Sequence, residues 1–382
     1  MAIRDVRRHR MTLGEKLGQV SWGLVLVLSM VAGVGFAMLY SAAGGNLSPW
    51  ALPQMGRFAT GLCVLVVVAL IDVRFWHRHA YTLYGVSVVL LAIVDAIGII
   101  GMGAQRWLDL YVIQIQPSEI AKIAIVLALA RYFHGLTAED AQRFWPLLPP
   151  VGMVLLPAAL VMKQPDLGTA VMLLAAGACV FFAAGVRLRY FAIAGALALA
   201  VLPLGWGMMH DYQRDRVLTY LDPERDPLGA GYHILQSKIA LGSGGVFGRG
   251  YLEGTQSHLS FLPEKQTDFI FTMLAEEFGL VGAVALLGLY ALILLYGLAI
   301  GLRASSQFGR LTAVGLTGIF FLYVCINVAM VTGLVPVVGV PLPLVSYGGT
   351  SMMTLLFGFG VMASVHVHRD VPVPRRPGHG PD

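Results

Sequence analysis

The sequence predicts an all-α polytopic membrane protein with about ten transmembrane helices, and three observations lead to this prediction. Hydrophobic residues make up 57% of the 382 residues and charged residues only 12%, whereas soluble domains contain roughly 25% charged residues. The mean hydropathy is +0.74. Finally, about ten apolar windows follow one another, each close to the roughly 20 residues that a helix needs to cross a hydrocarbon core.

Polar breaks or breaks rich in Gly and Pro separate these windows. Nine windows are clear from hydropathy, and the window 117–133 is more polar because it contains Glu119 and Lys122. We retain it because, without it, Lys and Arg no longer segregate to one side of the membrane. The predicted spans are 22–41, 54–71, 80–103, 117–133, 146–162, 168–185, 190–209, 280–300, 311–332 and 347–365.

The Lys and Arg bias places both termini in the cytoplasm. One large extracytoplasmic loop, 210–267, then lies between the seventh and eighth spans. The first apolar run is about 19 residues long, which favours a retained helix over a signal peptide with an apolar core of 7 to 15 residues. We expect a single membrane domain, 1–370, and a disordered cytoplasmic tail, 371–382, rich in Pro, Arg and Gly.

A net charge of +5 does not indicate a nucleic-acid-binding protein here. The basic residues stand singly between apolar segments, whereas a nucleic-acid surface needs them clustered in a patch or stripe. Within the large loop, apolar residues of the segment 232–241 recur at helical spacing. That segment is predicted to form a short helix lying in the membrane interface.

Asp268 stands where the polar loop enters an uncharged run. Two interpretations are equally supported by the residues: an N-cap of the following helix and a catalytic carboxylate. A helix from Asp268 to Gly301 would be about 50 Å long at 1.5 Å per residue, much longer than a membrane core requires. Residues 268–279 therefore lie at the outer interface or fold back into a polar cavity.

Other polar groups within the apolar spans have both a structural and a functional interpretation. Glu119 and Lys122 are three residues apart and can pair on one helix. Such intramembrane pairs are costly and so are functional candidates, although a structural pair is equally consistent. Asp95 is predicted to find a partner on another helix and to have a structural role.

Three loops also offer candidate sites. Residues 164–169 either form a turn that caps the next helix or present an amide and a carboxylate to a head group. The segment 242–250 is glycine-rich and matches no nucleotide-binding pattern; it is either a flexible loop or, with Arg249, a phosphate cradle. The connection 336–350 is dense in Pro and Gly, which predicts non-helical backbone that is buried or lines a cavity.

One motif runs from Asn327 through Gly333-Leu-Val-Pro336 to Leu344-Val-Ser-Tyr-Gly-Gly-Thr-Ser351. Three others precede it along the chain: Gln116-Pro-Ser-Glu-Ile-Ala-Lys122, Gln164-Pro-Asp-Leu-Gly168 and Leu262-Pro-Glu-Lys-Gln-Thr-Asp-Phe-Ile-Phe271. Together these motifs resemble those of the SEDS family of shape, elongation, division and sporulation proteins. The continuation 275–279 is more similar to the elongation branch than to the division branch. Gln266 departs from the His of many relatives, which argues against an obligatory base at that position.

The resemblance implies a peptidoglycan glycosyltransferase that polymerises lipid II with release of undecaprenyl pyrophosphate, during cell elongation and shape maintenance. It also implies ten helices and a partnership with a class B penicillin-binding protein and other elongation-complex membrane proteins. The essential carboxylate of the family falls on Asp268, on the extracytoplasmic side. The candidate substrate-binding residues are Lys122, Glu119, Arg106, Lys163, Gln164, Asp166, Arg214, Arg216, Lys238, Arg249, Lys265 and Ser346.

Two other functions fit parts of the sequence. A flippase or transporter of a lipid-linked cell-wall precursor would use the intramembrane charges Glu119, Lys122 and Asp95. A non-catalytic scaffold would tolerate changes at Asp268. No cofactor is implied. Metal-ligand spacing is absent from the His, Asp and Glu residues, so the sequence predicts no metal site and leaves the participation of a divalent cation undecided.

Overall fold

The computed structural model describes residues 11–101, 104–109, 114–208, 214–215, 218–220, 222, 230–254 and 265–374. Across these residues the chain is mainly helical. The helices are α1 (Leu13–Gln19), α2 (Trp22–Ala42), α3 (Ala51–Leu70), α4 (Val73–Ile97), α5 (Pro117–His134), α6 (Leu148–Lys163), α7 (Leu167–Ala183), α8 (Leu188–Met208), α9 (Ala230–Ser243), α10 (Ile270–Arg303), α11 (Gln307–Val331) and α12 (Gly349–Val367).

Three short antiparallel strands correct the all-α prediction. They are β1 (Ile99–Gly101), β2 (Ala104–Asp109) and β3 (Gln114–Ile115), in the order β1-β2-β3. The predicted third span, 80–103, consequently ends as a helix at Ile97. Gly98 and the β-branched pair Ile99–Ile100 favour extended backbone over helix, although hydropathy counts them as apolar.

Seven helices in the described part of the chain are long and apolar enough to cross a membrane. These are Trp22–Ala42, Ala51–Leu70, Val73–Ala96, Trp145–Lys163, Ile270–Arg303, Gln307–Val331 and Gly349–Val367. Leu167–Ala183 and Leu188–Ala200 are apolar but shorter. The remaining predicted window, 117–133, coincides with α5, which carries Glu119 and Lys122.

Helix α5 lies at the centre of the bundle and packs against α4, α6, α7, α11 and α12. Most of its side chains are buried, with no separate polar face, as expected of a helix surrounded by others. Close approach to α11 depends on Gly315, because a β-carbon there would lie 2.6 Å from Val126 and 2.8 Å from Val180. Small residues at such crossings are the usual means of packing helices in membranes.

Helix α10 is broken at Gly279, whose φ of 66° and ψ of −161° belong to a region that essentially only glycine adopts. Residues 244–250, here called the glycine clasp, satisfy the backbone at this break. The amides of Arg249 and Gly250 donate to Glu276 O (3.0 Å) and Glu277 O (3.1 Å). In return, the amides of Leu280 and Val281 donate to Gly245 O (3.0 Å) and Val246 O (3.1 Å).

The long predicted loop contains an ordered helix at the expected place, since α9 covers the predicted segment 232–241. Ser237 fastens α9 to two other helices: its hydroxyl lies 2.7 Å from Thr272 Oγ1 and donates to Val331 O at 2.8 Å. Much of the rest of 210–267, Arg216 included, lies outside the described residues.

The start of the predicted tail packs against the bundle. Val373 is buried, and its carbonyl oxygen lies 3.1 Å from His134 Nε2. Residues 371–374 are therefore part of the folded domain, contrary to the prediction of disorder from residue 371 onward. Residues 375–382 and 1–10 lie outside the described residues.

Candidate active site

Asp268 sits in a turn, 265–269, that immediately precedes α10. Three successive carbonyl oxygens of this turn each accept a hydrogen bond from the region around the connection between α11 and α12. Tyr347 N donates to Gln266 O at 2.8 Å, Ser346 Oγ donates to Thr267 O at 2.5 Å, and Asn327 Nδ2 donates to Asp268 O at 3.0 Å. Three hydrogen bonds thereby fix the backbone that carries the Asp268 carboxylate.

Further hydrogen bonds fix Asn327 and Ser346, which hold this turn. Asn327 is fully buried and its Nδ2 also donates to Val340 O at 2.7 Å. Ser346 Oγ accepts from Leu342 N at 2.8 Å, and Gln54 Nε2 donates to Ser346 O at 2.9 Å. Polar side chains thus replace the missing helical hydrogen bonds of the connection 333–348. This agrees with the prediction that its irregular backbone is buried, since Leu342, Leu344 and Val345 have little or no exposure.

The N-cap interpretation of Asp268 is wrong, because α10 begins at Ile270 and Phe269 occupies the N-cap position. The Asp268 side chain is only partly buried, and a β-carbon on Gly339 (φ 69°) would lie 3.4 Å from its Oδ2. Glycine at 339 therefore leaves space beside the carboxylate. Lys265, in the same turn, is partly buried, and this burial lowers the pKa of its ammonium group.

The glycine-rich segment is not a flexible loop. The amides of Arg249 and Gly250 also cannot form a phosphate cradle. The amides of Arg249 and Gly250 already donate to carbonyl oxygens of α10. The Arg249 side chain is exposed, and its Nε lies 3.4 Å from Ser243 O. The role of this side chain as a substrate contact stays a prediction.

Glu119 and Lys122 form a buried cluster with Tyr323 of α11. Lys122 Nζ lies 2.6 Å from Glu119 Oε1, and Tyr323 Oη donates to Glu119 Oε2 at 2.6 Å. Lys122 Nζ also contacts Tyr323 Oη. The two charged residues therefore pair as predicted, and the tyrosine satisfies the second carboxylate oxygen. A small cavity of about 20 Å³ adjoins the cluster.

The predicted sites at the ends of α6 and α7 form two further ion pairs. Asp166 lies 3.5 Å from Arg106 Nη1 and caps α7 by accepting from the Thr169 amide at 3.1 Å. Lys163 Nζ lies 2.5 Å from Asp95 Oδ2, which supplies the partner predicted for Asp95 on another helix.

Gln164 is buried, and its amide donates to Leu91 O at 2.8 Å. This amide ties α6 to α4 and is not presented to a head group.

Three further predicted residues belong to the long loop 210–267. Arg214 Nη2 donates to Gly207 O at 2.8 Å. Lys238 is exposed on α9 and passes over Gly333, where a β-carbon would lie 2.3 Å from its Cε. Arg216 lies outside the described residues. Of the predicted substrate-binding residues, the structure brings Ser346 and Lys265 into the Asp268 region.

A cavity of about 1150 Å³ opens between α3, α4, α5 and α12. Asp268 does not line it, but Tyr347 does, and the amide of Tyr347 is bonded to Gln266 two residues before Asp268. Its walls comprise Pro53, Gly56, Arg57, Thr60, Val64, Leu83, Trp107, Gln114, Ile115, Gln116, Ile120, Ile123, Ala124, Leu127, Tyr347, Gly348, Gly349, Thr350, Met353, Thr354 and Phe357.

Sequence reasoning missed the roles of Asn327, Tyr323 and Arg57. Asn327 was recognised only as part of a motif, although an amide inside an apolar 25-residue helix is itself a signal of a buried hydrogen-bonding role. Arg57 lies within a predicted span, where a charged residue marks a functional candidate. No local pattern distinguishes Tyr323 from an ordinary core aromatic.

Three comparisons place the chain among known proteins. The family model for cell cycle proteins of the FtsW, RodA and SpoVE type matches residues 16–371. The chain is 48% identical over 347 residues to the peptidoglycan glycosyltransferase MrdB of Escherichia coli, covering 91% of this chain and 93% of that protein.

Two solved structures are also similar to this chain. A chain from a peptidoglycan synthase complex that coordinates polymerization and crosslinking matches with a TM-score of 0.81 and 34% identity, covering 92% of this chain and 99% of that one. The rod shape determining protein RodA of Thermus thermophilus matches with a TM-score of 0.70 and 31% identity, covering 92% and 97%. The chain belongs to the FtsW, RodA and SpoVE family of cell cycle proteins, also called SEDS proteins.

Proposed function

We propose that this protein is a peptidoglycan glycosyltransferase of the elongation type, which polymerises lipid II into glycan strands and releases undecaprenyl pyrophosphate. The likeness in sequence to MrdB and in structure to RodA supports the reaction class and the role in cell elongation. The observation that carries the proposal is the Asp268 turn. Three hydrogen bonds to its successive carbonyl oxygens hold the backbone that carries the carboxylate.

Asp268 acts as the general base. Its carboxylate accepts the proton of the acceptor sugar's 4-hydroxyl as that oxygen bonds to the anomeric carbon of the donor. The bond between the anomeric carbon and the pyrophosphate oxygen breaks in the same step, and the bonding electrons leave with undecaprenyl pyrophosphate. A single displacement inverts the anomeric centre and needs no covalent enzyme intermediate.

The leaving pyrophosphate is stabilised by cationic side chains near the outer surface. Lys265 lies in the Asp268 turn, and Arg106, Lys163, Arg214, Lys238 and Arg249 are the further candidates in the described part of the chain. The described residues contain no group of three or more His, Cys, Asp or Glu that could hold a metal ion.

The membrane arrangement that suits this reaction has ten spans, adding α5, α7 and α8 to the seven helices that meet the length and hydropathy requirements. Both termini then face the cytoplasm, and Asp268 faces the extracytoplasmic side where glycan strands are needed. The polyprenyl chain occupies the large, mainly apolar cavity between α3, α5 and α12. A class B penicillin-binding protein, together with other elongation-complex membrane proteins, is the proposed partner.

The test uses purified protein and lipid II, with glycan strands separated on a gel. Asp268→Asn is expected to reduce polymerisation at least about 100-fold, because general-base catalysis contributes about 10²- to 10⁴-fold. Asp370→Asn is the matched control. Asp370 follows the C-terminal end of α12, and its side chain is 89% exposed. Both variants should retain the elution profile and thermal midpoint of the native protein. Native-like strand synthesis by Asp268→Asn would remove this residue from the mechanism.

The buried Glu119–Lys122 pair supports one alternative, a flippase for the lipid-linked precursor. Transport of fluorescent lipid II across liposomes separates the two functions. A flippase requires Lys122 and tolerates Asp268→Asn, whereas a polymerase in the same liposomes loses strand synthesis with Asp268→Asn.

A further inference from the structure

Two loops meet at one end of the bundle, the connection between α5 and α6 and the turn between α7 and α8. The C-terminal residues pack at this end, because α5 ends at His134, whose Nε2 lies 3.1 Å from Val373 O. Two hydrogen bonds join the loops: Arg187 Nε donates to Gln142 Oε1 at 3.1 Å, and Tyr190 Oη donates to Gln142 O at 3.4 Å. The surface that they form, here called the basic patch, comprises Gln142, Arg143, Phe144, Trp145, Arg187, Leu188, Arg189 and Tyr190.

Two arginines of the basic patch carry charge that no described carboxylate balances. The carbon at the centre of the Arg189 guanidinium lies 4.9 Å from the centroid of the Tyr190 ring, and its Nη2 donates to Tyr190 Oη at 3.0 Å. The neutral amide of Gln142 holds Arg187. Among the described residues, Arg143 pairs with Asp140 at 3.5 Å, but Arg187 and Arg189 have no carboxylate oxygen within 4.0 Å. Two exposed guanidiniums, each positioned by a neutral side chain, are therefore available to an anion.

Exposed apolar side chains adjoin these arginines. Trp145 is 77% exposed, Leu188 68% and Phe182 66%. The Phe144 ring contacts the rings of both Trp145 and Tyr190, with centroids 5.8 Å and 6.4 Å apart. Both loops lead directly into apolar helices, α6 and α8. Aromatic side chains and arginines at the ends of such helices lie at the level of the lipid head groups, so the basic patch faces lipid and water together.

The same region holds the base of α8. Residues 192–200 of this helix are all exposed. In its first turn, by contrast, Tyr190 and Phe191 pack against the bundle, and the Phe191 ring lies 6.4 Å from that of Phe182. A ligand bound at the basic patch would therefore contact α8 where it is attached to the rest of the protein.

We propose that the basic patch binds the head group of an anionic phospholipid, with its phosphate on Arg187 and Arg189 and its acyl chains beside Leu188 and Phe182. A phosphate offers two acceptor oxygens to the planar fork of a guanidinium. An acidic protein segment would match the charge, but it would not cover the exposed apolar side chains beside it. In the membrane orientation proposed above, this lipid belongs to the cytoplasmic leaflet. The site takes no part in the reaction proposed for Asp268.

The test is a titration of purified protein in detergent with phosphatidylglycerol, in which native mass spectrometry gives the dissociation constant of the first bound lipid. Combining Arg187→Gln with Arg189→Gln should weaken binding about 25-fold, about fivefold for each arginine near a head group. The matched control combines Arg303→Gln with Arg310→Gln, which removes two exposed arginines beside the connection between α10 and α11. The control should bind within about twofold of the native protein. All four side chains are exposed, so both variants should retain the native elution profile.

Three other ligands test the chemistry of the site. Phosphatidylethanolamine has the phosphate but no net charge, and inorganic phosphate has no acyl chains; each should bind at least about tenfold more weakly than phosphatidylglycerol. The proposal is overturned if the Arg187 and Arg189 variant binds phosphatidylglycerol within about twofold of the native protein. It is also overturned if the control loses as much affinity, because overall positive charge would then explain the binding. An oligoglutamate peptide that binds more tightly than phosphatidylglycerol would assign the basic patch to an acidic protein segment instead.

Discussion

The glycine clasp provides a prediction whose size follows from the structure. Gly248 has φ 83°, and a β-carbon there would lie 2.1 Å from Glu277 O and 2.6 Å from Phe278 N. Both are backbone atoms, so no side chain can move aside and the clasp must separate from α10. Gly248→Ala therefore incurs about 1–2 kcal/mol for left-handed backbone. It also loses the hydrogen bonds of Arg249 and Gly250, at about 0.5–1.5 kcal/mol each.

Together these effects predict a destabilisation of about 2–5 kcal/mol. They also predict a loss of polymerisation, because the first half of α10 continues directly from the Asp268 turn. Thermal unfolding in detergent and the lipid II gel assay measure the two effects. Gly245→Ala has φ 55° but open space around the new β-carbon, so it should show only the conformational cost.

The matched control is Gly242→Ala in the same glycine-rich segment, where φ lies outside the left-handed range and nothing is within 4 Å of the added atom. It should be neutral in both assays. The reasoning fails if Gly248→Ala unfolds at the same temperature as Gly242→Ala, since the clasp would then have room that the distances deny.

Two further predictions concern buried polar groups. Asn327→Ala leaves the carbonyl oxygens of Asp268 and Val340 without this donor. We expect kcat for strand synthesis to fall at least tenfold with little change in KM. A native kcat would show that the Asp268 turn keeps its conformation without Asn327. In the buried cluster, Lys122→Met should destabilise the protein by about 3–5 kcal/mol because it leaves a carboxylate uncompensated. Tyr323→Phe should cost about 1–3 kcal/mol, so a thermal midpoint lower for Tyr323→Phe than for Lys122→Met would contradict the ion-pair interpretation.

Family resemblance directed attention to Asp268, whereas residue chemistry alone did not distinguish a cap from a catalytic group. The structure places Phe269 at the N-cap and fixes the preceding turn from Asn327, Ser346 and Tyr347, while catalysis by Asp268 stays a prediction. These residues are 59 to 81 positions away along the chain. Periodicity reports only local geometry, so it contains no information about such contacts.

Composition and hydropathy determined that the protein is a helical membrane protein and where its apolar helices lie, because the free energy of placing a segment in lipid depends mainly on its own residues. The same reasoning extended the third helix through Gly98 and left the glycine-rich segment without an assigned structure. Only the tertiary structure shows that α10 breaks at Gly279, that the clasp containing Gly248 packs against this break, and that Arg57 faces a cavity. Those outcomes depend on distances between backbone segments remote in sequence, and only the packed bundle sets these distances.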